Sequence, residues 1–340
     1  MSRTVGCIGG GQLGRMLALD GAPLDVRFRF LDPSPDACAA EVGELLVGPY
    51  DDPDLLDRLA DGADAVTYEF ENVPVEAARR VGAVPDARAL ERGQDRLVEK
   101  ELFRSLGIPT ARYGSLEDSG LPALVKSRRL GYDGKGQRVV ESIVLLDDDE
   151  LAEEVVAFDR ELSIVAARGH DGQTAFYPLA ENEHRGGILA VSRAPAPDAP
   201  QGAAEEIATK LLDALGYVGV LAVELFEVAG TLLANEFAPR VHNTGHWTID
   251  GAVTSQFENH VRAVLGLPLG STEALGEGVM VNLVGEAPAL ERLLGVPGVH
   301  VHLYGKTPRP GRKLGHVTLV GAEEDAISEV MALAAGAWSA

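Results

Sequence analysis

Cysteine is nearly absent: Cys7 and Cys38 are the only two in 340 residues. Two thiols cannot build a disulfide framework, so a reducing cytoplasm is the expected compartment. No apolar run approaches the ~18 residues of a membrane span. The opening Met-Ser-Arg-Thr-Val-Gly-Cys-Ile lacks the layout of a signal peptide. Positive charge is also short: 30 Lys plus Arg stand against 52 Asp plus Glu, a net charge of −22. That balance argues against a nucleic-acid binder. It leaves room for a local basic pocket that takes an anionic small molecule. Lysine is scarcest of all, with six residues against 24 Arg, so the place of each lysine carries information.

What is present describes a soluble globular chain. Hydrophobic residues make up 46% and charged residues 24%. The length suggests two or three domains, and such a chain buries about three quarters of its unfolded surface without staples. The first segment alternates strands and helices. Val5 to Ile8 is a strand that meets Gly9-Gly10-Gly11-Gln12-Leu13-Gly14, and Arg15 to Asp20 is helical. Val26 to Leu31 and Ala65 to Phe70 read as strands, with a helix at Asp54 to Ala60 between them. This is the pattern of a parallel doubly wound sheet, whose ligands sit beyond the carboxyl ends of the strands. There the glycine turn, Asp32 and Glu69 meet.

A helix at about Asp95 to Gly107 leads into a second unit. Strands are expected at Leu121 to Lys126, Glu161 to Ala167, Ala175 to Pro178, Gly219 to Phe226 and Thr231 to Asn235. A helix covers Ala203 to Leu215, after a Pro/Ala-rich loop at Pro195 to Gln201. From about Gly266 a smaller third unit begins, with strands at Val279 to Val284 and Val299 to Tyr304.

Five clusters carry chemistry. The first glycine turn fits G-x-G-x-x-G, and Asp32 lies 23 residues after Gly9, where a dinucleotide fold puts its ribose acid. Read alone, it suits an NAD(P) dehydrogenase as well as a turn that only packs helix on strand. The second cluster is Gly131-Tyr132-Asp133-Gly134-Lys135-Gly136-Gln137, with Lys126 five residues before it. A glycine loop with two lysines suits a triphosphate, although no Walker motif is present. The third is Glu224 and Glu236, twelve residues apart with the turn Ala229-Gly230 between. Antiparallel pairing would put both carboxylates on one face, and hard oxygens of that kind suit Mg²⁺. The fourth is Pro239 to Trp247, where Arg240, His242, Asn243 and His246 are costly to bury without partners and read as an anion-binding floor. The fifth is Lys306 to His316, with Lys306, Arg309, Arg312 and Lys313 in eleven residues. In so acidic a chain this local reversal suits a phosphate monoester. Of the six lysines, only Lys100 and Lys210 fall outside these clusters.

With these residues in place, the chain resembles the N5-carboxyaminoimidazole ribonucleotide synthases over nearly its whole length. The resemblance rests on Gly-Gly-Gly-Gln-Leu-Gly-Arg-Met-Leu, Gly-Tyr-Asp-Gly-Lys-Gly-Gln, Phe-Asp-Arg-Glu-Leu-Ser, Ala-Pro-Arg-Val-His-Asn-Thr-Gly-His-Trp and Arg-Pro-Gly-Arg-Lys-Leu-Gly-His. It implies an α/β protein with an ATP-grasp fold and an α+β lid. A Rossmann-like pre-ATP-grasp domain would span 1–95, the ATP-grasp domain 96–265 with its lid at about 122–165, and a small C-terminal domain 266–340. The implied reaction is carboxylation of 5-aminoimidazole ribonucleotide by bicarbonate and ATP, through carboxyphosphate, in purine biosynthesis. The family further implies a cytoplasmic homodimer that uses Mg²⁺, with small molecules as its partners and neither nucleic acid nor membrane.

The resemblance also distributes roles. Arg96, Lys126 and Gly131 to Gln137 would contact ATP. Glu153, Glu154, Val155 and Val156 would form the hinge against adenine, Glu161 would accept from the ribose, and His184 would lie at the nucleotide. Glu224 and Glu236 would hold Mg²⁺, with Asn235 beside them. Arg240 and His242 would bind bicarbonate and carboxyphosphate. Gln12, Leu13, Glu69, Tyr132, Lys306, Arg312 and Lys313 would position the ribonucleotide, with Lys306 and Asp133 among the catalytic groups. One departure stands out: only fifteen residues separate Gln137 from Glu153, and Leu145 to Val156 reads as one helix running into the hinge. A trimmed lid and weaker nucleotide selectivity are expected from it. Rival readings are another ATP-grasp ligase such as a formate-dependent glycinamide ribonucleotide transformylase, the dehydrogenase, and a non-catalytic nucleotide-binding protein.

Overall fold

The structure, a computed structural model, describes residues 2–131 and 136–335. Its strands form three sheets. The first holds β1 (Arg3–Ile8), β2 (Val26–Asp32), β3 (Glu44–Val47) and β4 (Ala65–Tyr68), all parallel, in the order β3-β2-β1-β4. The apolar runs of β1 and β2 are buried on both faces, as a parallel sheet requires. The helix Pro53–Ala60 starts where Asp52 accepts from the amides of Asp54 and Leu55, with proline at its first position. The short β3 is not foreseen from the sequence.

The second sheet is small: β5 (Tyr113–Gly114), β6 (Ala123–Ser127), β7 (Gln137–Val140) and β8 (Glu150–Glu154), in the order β5-β8-β6-β7. This corrects the expected helix over Leu145 to Val156. Residues 141–149 are irregular and then enter β8, which pairs antiparallel with β6. The like charges Asp147-Asp148-Asp149 disfavour a helix at that point. Instead, Glu150 accepts from the Asp147 amide and pairs with Arg138, which closes a turn. Leu145 is 93% exposed.

The third sheet has nine strands and runs through both remaining units. It contains β9 (Arg160–Arg168), β10 (Thr174–Phe176), β11 (Ala180–Arg185), β12 (Ile188–Ala194), β13 (Gly219–Val228), β14 (Thr231–Ala238), β15 (Gly278–Val284), β16 (Val299–Leu303) and β17 (Lys313–Val320). The order is β14-β13-β9-β11-β12-β15-β17-β16, with β10 beside β9. β12 pairs directly with β15, so one hydrogen-bonded ladder joins the central and C-terminal strands. The helix Gln201–Leu215 covers one face through Ile207, Leu211, Leu212 and Leu215. It begins two residues earlier than the sequence suggests, because the Gln201 side chain accepts from Leu179 N and donates to Tyr177 O. Among the described residues no helix is long and apolar enough to cross a membrane.

Candidate active site

A cleft of about 1160 Å³ lies between the three sheets. That exceeds the ~300–1,000 Å³ of a pocket for one small ligand. It gathers the expected site residues with few exceptions. Gly136 does not line it; its carbonyl accepts from Ser127 N at 2.8 Å and closes the β6–β7 turn. Tyr132, Asp133, Gly134 and Lys135 lie outside the described residues.

One end suits a nucleotide. The helix Arg96–Ser105 is capped by Asp95, which accepts from Leu97 N and also pairs with Arg128 at the end of β6. Residues 96, 99 and 100 share one helical face. Arg96 donates to Glu236 at 2.7 Å and to the Gly131 carbonyl at 3.3 Å. Lys126 of β6 donates to Glu153 Oε2 at 3.0 Å. Glu153 Oε1 is buried with no partner among the described residues, so an acceptor waits there for a ligand donor. Glu154 departs from the expected role in part, since its carboxylate is held by Arg112 outside the hinge. Val155 and Val156 line the cleft beside Phe158, which stacks on Phe226 at 4.9 Å. His184 is hydrogen-bonded to Glu161. Burial opposes the charge on His184, but Glu161 and Glu224 outweigh it and raise its pKa. A bulge between Glu183 and His184 turns the side chain at this point.

The centre holds two carboxylates. Glu224 of β13 sits directly opposite Glu236 of β14, as antiparallel pairing requires. Burial and the neighbouring Glu236 push the Glu224 carboxyl up to about 7. Burial also opposes charge on Glu236, but Arg96 outweighs it and holds its pKa low. A divalent cation would relieve this repulsion. Glu224, Glu236 and Asn235 Oδ1, which has no partner among the described residues, are hard oxygen donors that fit Mg²⁺. No self-sufficient metal cluster exists among the described residues, so such an ion would take further oxygens from bound phosphate.

The segment after β14 forms the anion floor. Val241 and Trp247 are each 1% exposed and anchor it. Arg240 is held by Glu71, whose carboxyl stays near 2: burial works against its charge, and Arg240 more than compensates. His242 accepts from Thr244 through Nδ1. Burial, with Arg240 and Lys313 nearby, lowers its pKa to about 3, so the ring is neutral at pH 7. His246, buried, meets the Gln256 amide at 3.2 Å.

The far end carries the cationic cluster. Lys306 donates to Gln12, and Lys306, Arg309, Arg312 and Lys313 all line the cleft, as does Leu13. Glu69 lines it too, but both its oxygens are committed to the glycine turn. They accept from Gly11 N and, at 2.8 Å, from Gly14 N. A Cβ on Gly9, which sits at φ +102°, would come within 2.5 Å of Glu69 Cγ. Asp32 accepts from Gly10 N at 2.9 Å and from the Tyr50 hydroxyl. The amides that a dinucleotide loop offers to pyrophosphate are thus filled by the protein's own carboxylates, which removes the basis for the dehydrogenase reading.

Sequence reasoning missed four participants. Lys100, set aside as an outlying lysine, is 1% exposed and reaches Glu153 at 3.2 Å. Its signal was its spacing, one helical turn after Arg96. Glu71 follows Glu69 by two residues, the period that puts both at the carboxyl end of β4. Phe158 and Phe226 gave no local signal, because their stack forms between the β8–β9 connection and β13, far apart in sequence.

The comparisons agree with this geometry. Three domain families match in succession: the ribonucleotide synthetase preATP-grasp domain over 1–94, the ATP-grasp domain over 101–257, and the phosphoribosylaminoimidazole carboxylase C-terminal domain over 278–330. The N5-carboxyaminoimidazole ribonucleotide synthase of Pseudomonas aeruginosa is 48% identical over 97% of this chain and 99% of its own length. The crystal structure of the N5-carboxyaminoimidazole ribonucleotide synthetase from Thermus thermophilus is similar at TM-score 0.92 and 53% identity, covering 99% of both chains. An Aspergillus clavatus N5-carboxyaminoimidazole synthase, solved with ADP and 5-aminoimidazole ribonucleotide, is similar at TM-score 0.88 and 30% identity over 98% of each chain. The chain belongs to the N5-carboxyaminoimidazole ribonucleotide synthase family and carries its ATP-grasp fold.

Proposed function

We propose that this chain carboxylates the exocyclic amine of 5-aminoimidazole ribonucleotide, using ATP and bicarbonate, as a carbon–nitrogen ligase of purine biosynthesis. The observation that carries the reading is the single cleft with an ATP-type cationic end, a carboxylate pair at its centre and a second cationic end beyond it. Two phosphorylated ligands face each other across an anion floor. A passive nucleotide binder leaves that arrangement without a use, and the relatives named above, which match nearly the whole chain, are carboxyaminoimidazole ribonucleotide synthases and not transformylases.

In this reading Arg96, Lys126 and the 131–137 loop hold the triphosphate. Glu153 to Val156 seat the adenine, and Glu161 with His184 holds the ribose. Glu224, Glu236 and Asn235 would hold Mg²⁺, which when bound would neutralise charge on the phosphates. Arg240 and neutral His242 orient bicarbonate, whose oxygen attacks the γ-phosphorus; the bond to the ADP oxygen breaks and carboxyphosphate forms. The amine nitrogen then attacks the carboxyl carbon, the C–O bond to phosphate breaks, and the amine loses a proton. Lys306, Arg312 and Lys313, with Gln12 and Leu13, hold the ribonucleotide, joined by Tyr132 and Asp133; Glu69 shapes its binding turn. Closing out water protects the labile intermediate. The proposed units are 1–95, 96–265 and 266–340, assembled as a cytoplasmic homodimer. Phosphate release from ATP tests the reading. It is expected only when both bicarbonate and aminoimidazole ribonucleotide are present, and bicarbonate-independent release overturns it.

A further inference from the structure

At the nucleotide end two lysines converge on one carboxylate oxygen. Glu153 Oε2 is shared by two lysines, Lys126 at 3.0 Å and Lys100 at 3.2 Å. All three side chains are buried. Lys126 lines the cleft, whereas Lys100 does not and sits behind it. Lys100 is held by the Asn235 carbonyl at 2.7 Å and Thr110 Oγ1 at 3.2 Å. Thr110 in turn donates to the Ala234 carbonyl at 2.7 Å.

We propose that Lys100 is a positioning residue for nucleotide binding: it neutralises Glu153 from behind, so that the charge of Lys126 remains available to the phosphates of ATP. Lys126 and Glu153 alone form a neutral pair, which offers a triphosphate little attraction. Because Lys100 shares Glu153 Oε2, the pull of that carboxylate on Lys126 is divided, and the Lys126 ammonium is freer to meet a phosphate. Lys100 needs no contact with the ligand to do this. Its bond to the Asn235 peptide also fixes the trio beside Glu236, so the hinge carboxylate and the central carboxylates keep one spacing. The inference rests on the nucleotide reading of Lys126 and Glu153 above.

A double-mutant cycle read by ADP binding calorimetry tests it, alongside the Michaelis constants. Lys100→Met is expected to weaken ADP binding about tenfold and to raise KM for ATP in parallel. KM for the ribonucleotide stays unchanged, and Lys100→Arg recovers most of the loss. In the Glu153→Gln background, where no carboxylate competes for Lys126, Lys100→Met is expected to change ADP affinity less than about twofold. A merely structural lysine would cost the same in both backgrounds. Equal losses in the two backgrounds, or unchanged ADP affinity in Lys100→Met, overturn the proposal. If Lys100→Met alone does not fold, the comparison within the Glu153→Gln background decides: a loss beyond twofold there overturns it. Lys126→Met checks the underlying reading separately, because undiminished ADP binding in that variant removes the nucleotide site itself.

Discussion

Glu71, just past the end of β4 in the first sheet, holds the guanidinium of Arg240, just past β14 in the third. The arginine of the anion floor, proposed to bind bicarbonate, is therefore oriented by a residue from another unit. Removing one member of a buried ion pair leaves the other uncompensated, at a cost of about 3–5 kcal/mol. Arg240 keeps partial access to the cleft, so part of that cost is relieved by water. Glu71→Ala is expected to raise KM for bicarbonate by about tenfold or more, with KM for ATP changing less than threefold. Steady-state kinetics with bicarbonate as the varied substrate checks this.

Lys306 and Gln12 meet at the other end of the cleft. A hydrogen bond to a charged group contributes about 1.5–3 kcal/mol. Lys306→Ala is expected to raise KM for the ribonucleotide by about tenfold to a hundredfold while ADP affinity, measured by calorimetry, is retained. Glu236→Ala, which removes a central carboxylate and the partner of Arg96, is expected to abolish ATP turnover.

The strand β8 changes the expectation for nucleotide choice. The fifteen residues after Gln137 hold a hinge strand in register with β6, Leu124 opposite Glu153. Glu153 Oε1, which has no partner among the described residues, suits an amino group and repels a carbonyl. ATP is therefore expected to exceed GTP in kcat/KM by at least about tenfold, the effect of 1.4 kcal/mol. Parallel turnover assays with the two nucleotides decide it, and equal values would reinstate the weakened selectivity.

Asp20, at the end of the helix Gln12–Gly21, accepts from Ser255. Burial, despite that bond, raises its carboxyl to about 6 in the folded chain. A raised folded pKa gives stability that is complete below the unfolded value and is lost as pH climbs through about 6. Asp20→Asn keeps an acceptor for Ser255 without the charge. It is expected to stabilise the chain by about 1 kcal/mol at pH 8 and to make no difference at pH 4. Thermal melts at the two pH values measure the contrast.

The residue pattern made the chemistry more legible than the strands. Glu224 and Glu236 declared their pairing, because a turn of known type lay between two apolar runs. Lys306 to Lys313 stood out against a charge of −22. By contrast, β11 went unseen. Its Glu-Asn-Glu-His-Arg has no apolar alternation, since one of its faces looks into a polar cleft. The acid run at Asp147 masked β8, whose pairing partner lies more than twenty residues away. Glu69 was assigned to the ligand, although its geometry binds it to the glycine amides. Spacing places a carboxylate near a turn; only the fold shows that the turn has already consumed it.

The ladder between β12 and β15 has a mechanical meaning. Val191 lies opposite Val281, and Arg193 opposite Val279, so no hinge separates the strands of the central unit from those that flank the Lys306 loop. The span from the Arg240 floor to the Lys306 loop is thereby set when the chain folds, like the gap of a caliper locked at one width. The small sheet of β5 to β8 stands outside this ladder, joined to the large one through residues 155–159 and through Lys100, which bridges Glu153 and the Asn235 carbonyl. In the proposed reading, a ribonucleotide of the wrong length meets a fixed gauge between the floor and the loop.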